Sequence, residues 1–239
     1  MKNISNIFFD KKILIYGLGK SGVAAFKFLK KYSNVFLYDD FYSNLKVSKF
    51  KKYLVNYKQI PDKDFDKIIL SPGIDINKCK LSNFLKKNYN KIHSDLDVFY
   101  AFYKNDCITI TGTNGKSTTC QLMYETLLNQ KFDVRLVGNI GNPILNLKSI
   151  KKKTIFVIEA SSYQLEYSKY FRSKYSIILN LAPDHLERHK TLNNYVNAKF
   201  KLLKNQIRGD LAFINKNDYL ISKKIKRSKY KSKLIKVDT

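Results

Sequence analysis

The residues best suited to chemistry lie in Gly112-Thr113-Asn114-Gly115-Lys116-Ser117-Thr118. A glycine-bearing loop between an apolar run and a helix offers backbone N–H groups and a helix N-terminus to phosphate oxygens. Lys116 would lie against the outer phosphates, and the hydroxyl of Ser117 or Thr118 would reach a magnesium ion. The spacing departs from the commonest loop of this kind, G-x-x-x-x-G-K-[ST]. Five places before Gly115 stands Ile110, and the nearest glycine is Gly112. The plain alternative is a tight turn ahead of a capped helix.

A second glycine cluster, Gly17-Leu18-Gly19-Lys20-Ser21-Gly22, follows another apolar run, and Asp39 comes twenty residues after Gly19. That is the dinucleotide fingerprint, in which a pyrophosphate rests on a helix N-terminus. Alone it points to a nicotinamide-dependent oxidoreductase, or to a turn that needs glycine only for packing. Ser71-Pro72-Gly73 closes a third apolar run, where open α/β sheets bind ligands and where Pro-Gly turns are also ordinary. Glu159 ends the run TIFVIEAS, placed either to hold a metal or to cap the next segment. His185 and His189 are four apart, as in some zinc pairs, but lack a third ligand and the H-E-x-x-H order. His189 is expected at the surface. Lys199 reads as one more solvated lysine on a helix.

The elements that must position these groups alternate. Strands are expected over 12–17, 34–40, 66–73, 107–112, 154–161, 175–183, 210–215 and 233–237. Helices are expected over 20–31, 81–87, 117–130 and 192–206. Strands alternating with helices imply βαβ units and parallel sheets. Two loops of nucleotide type imply two α/β domains, 1–103 and 104–239, joined near Ala101–Asp106.

Composition narrows the class. The chain has 239 residues, is 44% hydrophobic and carries a formal net charge of +26, enough for a sizeable core and suggestive of nucleic acid. Only Arg135, Arg172, Arg188, Arg208 and Arg227 are arginines; the other basic residues are lysines scattered along the chain. Nucleic-acid readers favour the planar arginine fork. Lys, Asn, Ile, Tyr and Phe share A/T-rich codons, so coding bias accounts for the charge, and no nucleic-acid partner is expected. Cys79, Cys107 and Cys120 are odd in number and widely spaced, which suits reduced thiols. The N-terminal apolar run is too short to span a membrane and lacks a signal-peptide pattern, so a soluble, cytoplasmic protein is expected.

The unusual loop spacing gains meaning beside other segments. G-T-N-G-K-S-T resembles the loop of the Mur ligases and their folate-polyglutamating relatives, which use ATP to join an amino acid to a carboxylate. V-G-N-I-G (137–141), E-A-S-S-Y-Q-L-E (159–166), A-P-D-H-L-E-R-H (182–189) and Y-V-N-A-K (195–199) resemble further Mur ligase segments, in the family's order. S-S-Y-Q-L-E resembles the branch that adds D-glutamate to UDP-N-acetylmuramoyl-L-alanine, as do G-L-G-K-S-G and L-S-P-G-I (70–74).

The resemblance implies a fold and a set of roles. The fold is a Rossmann-like UDP-sugar domain followed by a P-loop-type α/β central domain. ATP would be held by residues 112–118, and magnesium by Ser117, Glu159, His185 and Lys199. Lys199 would be carbamylated, so that its ammonium becomes an anionic ligand. Lys116, His185 and Lys199 would be the catalytic set, with Asp184 beside His185. Leu18, Ser21, Asp39, Ser71, Pro72, Gly73, Asn139, Ser161, Gln164 and His185 would line the substrate site. The resemblance also implies a third, C-terminal domain that no segment here matches. The expectation is a chain ending inside the central domain and not forming the amide bond alone. A binding module without turnover, or another Mur-type ligase, is the alternative.

Overall fold

The computed structural model describes residues 7–41 and 48–238. The polar opening residues 1–6 lie outside them. The chain divides into two compact units, one of residues 1–102, 144–146 and 167–170, the other of residues 103–143, 147–166 and 171–239.

The first unit opens with β1 (Lys12–Tyr16), α1 (Lys20–Leu29) and β2 (Asn34–Tyr38). β3 (Lys67–Leu70), α2 (Ser82–Lys87), β4 (Ile92–His93) and α3 (Asp95–Phe102) follow. Its four strands form a parallel sheet in the order β2-β1-β3-β4. KILIY and KIIL are continuous apolar runs because both faces of such a sheet are covered. Leu14, Tyr16, Ile68, Leu70, Phe65 and Leu85 pack into one buried cluster. Each such side chain contributes about 1.5–3 kcal/mol.

The second unit is a larger version of the same design. Its elements are β5 (Cys107–Thr111), α4 (Lys116–Asn129), β6 (Val134–Gly138), β7 (Ile155–Glu159) and, up to residue 166, α5 (Ser162–Tyr167). They continue with β8 (Tyr175–Ile178), α6 (Leu186–His189), α7 (Leu192–Lys204), β9 (Leu211–Asn215), α8 (Tyr219–Lys226) and β10 (Lys233–Val237). The six strands are all parallel, in the order β10-β9-β8-β5-β7-β6. Ile110, Cys120, Val134 and Val157 form the core beneath α4.

Register brings the candidate residues together. Tyr16 lies opposite both Tyr38 and Leu70, so the segments after β1, β2 and β3 leave the sheet side by side. Ile110 lies opposite Glu159 and Ile177, which does the same for the segments after β5, β7 and β8. In the first sheet β2 and β3 flank β1, and in the second β7 and β8 flank β5; at such a change of side, open parallel sheets have diverging loops where ligands bind.

Several elements differ from expectation. The strand expected over 175–183 ends at Ile178, because Asn180 turns to bind the loop at Asn114. That expected over 66–73 ends at Leu70, where the Ser71-Pro72-Gly73 turn begins. β4, β6, α3, α5, α6 and α8 were not expected. β4 has two residues and α6 one turn, too short for a period. No described helix is long and apolar enough to cross a membrane.

Candidate functional site

In the first unit, Gly17 leaves β1 with φ +95, and a Cβ there would meet the Ser71 Cβ at 2.7 Å. Gly22 is more constrained: a Cβ would fall 1.8 Å from the Gly17 carbonyl oxygen. Ser71 Oγ donates to that same carbonyl at 2.7 Å, so the turns after β1 and β3 are fastened together. Gly19 and Gly73 have nothing within 4 Å of a built Cβ and face open space. α1 starts at Gly19 with no side-chain cap, leaving its first N–H groups for a ligand. Ser21 sits half-buried in that first turn, and Leu18 is buried.

Asp39 holds this loop from β2. One oxygen accepts Leu18 N–H at 2.7 Å and the other Phe41 N–H at 2.8 Å. Asp40, next to it, accepts the hydroxyls of Tyr16 at 2.7 Å and Tyr38 at 2.9 Å. Burial, and then the bond to Asp40, push both phenols far up, so they stay neutral donors. The first unit therefore presents the uncapped start of α1 beside an open glycine turn, braced by Asp39 and Asp40.

The second unit carries the glycine loop of residues 112–118. Gly115, with φ +78, turns the chain into α4. A Cβ on Gly112 would come within 3.1 Å of the Leu179 Cβ, so the loop runs hard against the segment after β8. Thr113 N–H donates to the Asn180 carbonyl at 2.9 Å, and Asn114 N–H to Asn180 Oδ1 at 2.8 Å. Lys116 Nζ folds back onto the Thr113 carbonyl at 2.7 Å, across the loop it would serve. Thr118 lies exposed in the first turn of α4.

Glu159 is 1% exposed at the end of β7. Its carboxylate accepts Ser117 Oγ at 2.8 Å and Asn139 Nδ2 at 2.7 Å. Asn139 N–H also donates to the Glu159 carbonyl at 3.0 Å, fixing the residue after β6 against β7. A carboxylate beside a serine hydroxyl at the mouth of a phosphate loop is a hard oxygen set. It suits magnesium, which takes one or two carboxylates and completes its shell with water and phosphate.

The other expected ligands are placed differently. His185 is half-exposed, lying between Asp184 at 3.3 Å and Glu187 at 3.7 Å, with a left-handed backbone of φ 52. That conformation costs a non-glycine residue about 1 kcal/mol or more. Lys199 is not a solvated lysine: it is 2% exposed, and Nζ donates to the Gly112 carbonyl at 2.8 Å. Burial, and then the neighbouring Lys116 charge, lower its pKa to about 7. No group of three or more His, Cys, Asp or Glu side chains among the described residues could hold a metal.

His189 corrects the surface expectation. It is 4% exposed, and Nε2 lies 3.0 Å from Ser162 Oγ. The single turn of α6, entered by His185 at φ 52 and left by Lys190 at φ 68, swings Arg188 and His189 inward. The ring stacks on Tyr163 at 5.6 Å and meets Tyr195 edge-on at 5.4 Å. Burial, and then the Arg188 charge, lower its pKa to about 4. Ser161 and Gln164 bond to each other at 3.2 Å at the start of α5. Tyr195, which sequence reasoning missed, bonds Thr113 Oγ1 at 3.0 Å and lies under Lys199.

The profile of the Mur ligase middle domain matches residues 110–239. The chain belongs to the Mur ligase family. Among curated Mur ligases, it is 40% identical over 206 residues to the UDP-N-acetylmuramoylalanine--D-glutamate ligase of Caldicellulosiruptor bescii, covering 82% of this chain and 45% of that one. The same-named ligase of Rickettsia bellii is 36% identical over 217 residues, covering 87% of this chain and 47% of that one. The chain thus spans under half the length of these relatives. Among solved structures, the Neisseria meningitides UDP-N-acetylmuramate:L-alanyl-gamma-D-glutamyl-meso-diaminopimelate ligase matches with a TM-score of 0.60. It covers 95% of this chain and 78% of that one at 15% identity. The murein peptide ligase mpl of Psychrobacter arcticus matches with a TM-score of 0.55 at 13% identity, over 95% of this chain and 53% of that one. These two likenesses concern the Mur ligase fold alone.

Proposed function

We propose that this chain supplies the ATP and UDP-sugar sites for joining D-glutamate to UDP-N-acetylmuramoyl-L-alanine in peptidoglycan synthesis. The observation that carries the reading is the meeting of phosphate loop and carboxylate, Ser117 on Glu159 at 2.8 Å, beside Lys116 and the buried Lys199. The names of the D-glutamate-adding relatives support the amino acid chosen.

The reaction needs an electrophile, because a carboxylate would have to expel oxide. Transfer of the γ-phosphoryl group of ATP to the UDP-N-acetylmuramoyl-L-alanine carboxylate gives an acyl phosphate. The amine of D-glutamate displaces inorganic phosphate, loses a proton and leaves an amide. The loop amides and Lys116 bind the ATP phosphates once Nζ leaves the Thr113 carbonyl. Magnesium, when bound, neutralises phosphate charge, and Ser117 and Glu159 are the groups that would hold it. Lys199, uncharged in part near pH 7, can take up carbon dioxide as a carbamate and so join Glu159 as an anion. His185 and Asn139 orient the substrate carboxylate, with Ser161 and Gln164 beneath. The cradle of Leu18, Ser21, Asp39, Ser71, Pro72 and Gly73 takes the uridine diphosphate.

Two titrations test this. A fluorescent ATP analogue with magnesium should bind, and Lys116→Ala should weaken it roughly 10- to 100-fold, since bonds to charged groups contribute about 1.5–3 kcal/mol. UDP-N-acetylmuramoyl-L-alanine should raise the melting temperature, since it binds only the native state. Equal affinities for wild type and Lys116→Ala, or stabilisation by NAD in place of the UDP-sugar, would overturn the reading.

A further inference from the structure

His189 is a buried imidazole that the chemistry above does not use. It is wedged between two tyrosines, Tyr163 and Tyr195, with centroid distances of 5.6 and 5.4 Å. Its Nε2 is tied to Ser162 Oγ at 3.0 Å, which fixes how the ring stands in the wedge. Its own carbonyl accepts Asn194 Nδ2 at 3.0 Å, anchoring it to the first turn of α7.

From Tyr195 the contacts lead into the phosphate loop. Tyr195 OH meets Thr113 Oγ1 at 3.0 Å, and that hydroxyl also accepts Ala182 N–H at 3.0 Å. The Thr113 carbonyl is the acceptor that holds Lys116 Nζ at 2.7 Å. A tilt of Tyr195 would therefore move Thr113, and Thr113 carries both the loop and the lysine.

We propose that His189 is a positioning residue: wedged against Tyr195 and pinned by Ser162, it sets Thr113 and thereby the phosphate loop for nucleotide. The inference rests on reading residues 112–118 as a nucleotide site.

The test is a double-mutant cycle on the affinity of the 239-residue chain for a fluorescent ATP analogue with magnesium, with the melting temperature of each variant. His189→Phe keeps a ring in the wedge and removes the bond to Ser162. It should weaken binding about three- to tenfold, the equivalent of one hydrogen bond. Tyr195→Phe removes only the hydroxyl that reaches Thr113 and should weaken binding comparably. In the Tyr195→Phe background, His189→Phe should add almost nothing, because both act through one contact. His189→Gln, whose amide can still bond Ser162, should recover part of the loss; it also replaces His189→Phe if the latter does not fold. A wild-type chain that fails to bind the analogue would overturn the nucleotide reading and this inference together. Wild-type binding that His189→Phe and His189→Gln leave unchanged, or losses that add in full across the cycle, would overturn the inference alone.

Discussion

Lys199 carries a buried amine with a pKa near 7, against about 10.4 for a free lysine. Between those values the unfolded chain binds a proton that the folded chain releases, so stability rises with pH across that window. Below pH 7 the folded state holds a desolvated ammonium, and the penalty is present in full. Lys199→Met removes the titrating group and keeps most of its volume. Melting temperatures from pH 6 to pH 10 should climb more steeply for wild type than for Lys199→Met, other lysines cancelling in the difference. Parallel curves would mean that Lys199 is not depressed. This residue also measures what the sequence disclosed. Its site role came only from resemblance, yet Tyr195, Lys199 and Leu203 are four apart and lie on the buried face of α7. The helical period contained the signal, and the lysine charge concealed it. His189 was misplaced for another reason: a one-turn helix has no period to read, and two left-handed residues set its direction.

Elements show the opposite balance. The buried strands were legible because parallel sheets covered on both faces need unbroken apolar runs, and KILIY, CITIT and IFVIE are such runs. Their ends were less legible, since Asn180 and Ser71 stop β8 and β3 by binding neighbouring loops, which periodicity does not record. The glycines of the first cradle were legible as a set but not as individuals. Gly22 faces the Gly17 carbonyl at 1.8 Å, whereas Gly19, at the start of α1, faces nothing within 4 Å. Gly22→Ala must push backbone apart and should cost about 1–3 kcal/mol, as overpacking does. Gly19→Ala, with an ordinary φ of −68, should keep the wild-type denaturation midpoint and lose affinity for the UDP-sugar, because its methyl enters the open cradle. Urea denaturation and ligand titration of the two variants check the contrast. A Gly22→Ala protein as stable as wild type would show that α1 is free to shift.

At the scale of the whole molecule the net charge of +26 becomes the leading fact. Its sign says little about ligands, because the lysines are spread along the chain. It says more about stability. Folding brings the excess positive charges close together, and self-repulsion opposes the compact state. Attractive pairs on the surface do little against this. Lys174–Asp106 and Lys216–Asp238 are exposed at both partners, and such pairs contribute about 0–1 kcal/mol. The better-shielded pairs, Arg172 with Asp210 and Arg188 with Glu166, are buried at one partner and less sensitive to salt. Salt therefore screens repulsion across the whole chain and weakens only small attractions. The Debye length falls from about 30 Å at 0.01 M to about 8 Å at 0.15 M, shorter than most distances between lysines on a molecule this size. The melting temperature should rise as sodium chloride increases from 0.01 to about 0.2 M, and sulfate or nucleotide should raise it further by binding at the loops. A melting temperature that falls over that range would mean that the surface pairs outweigh the repulsion.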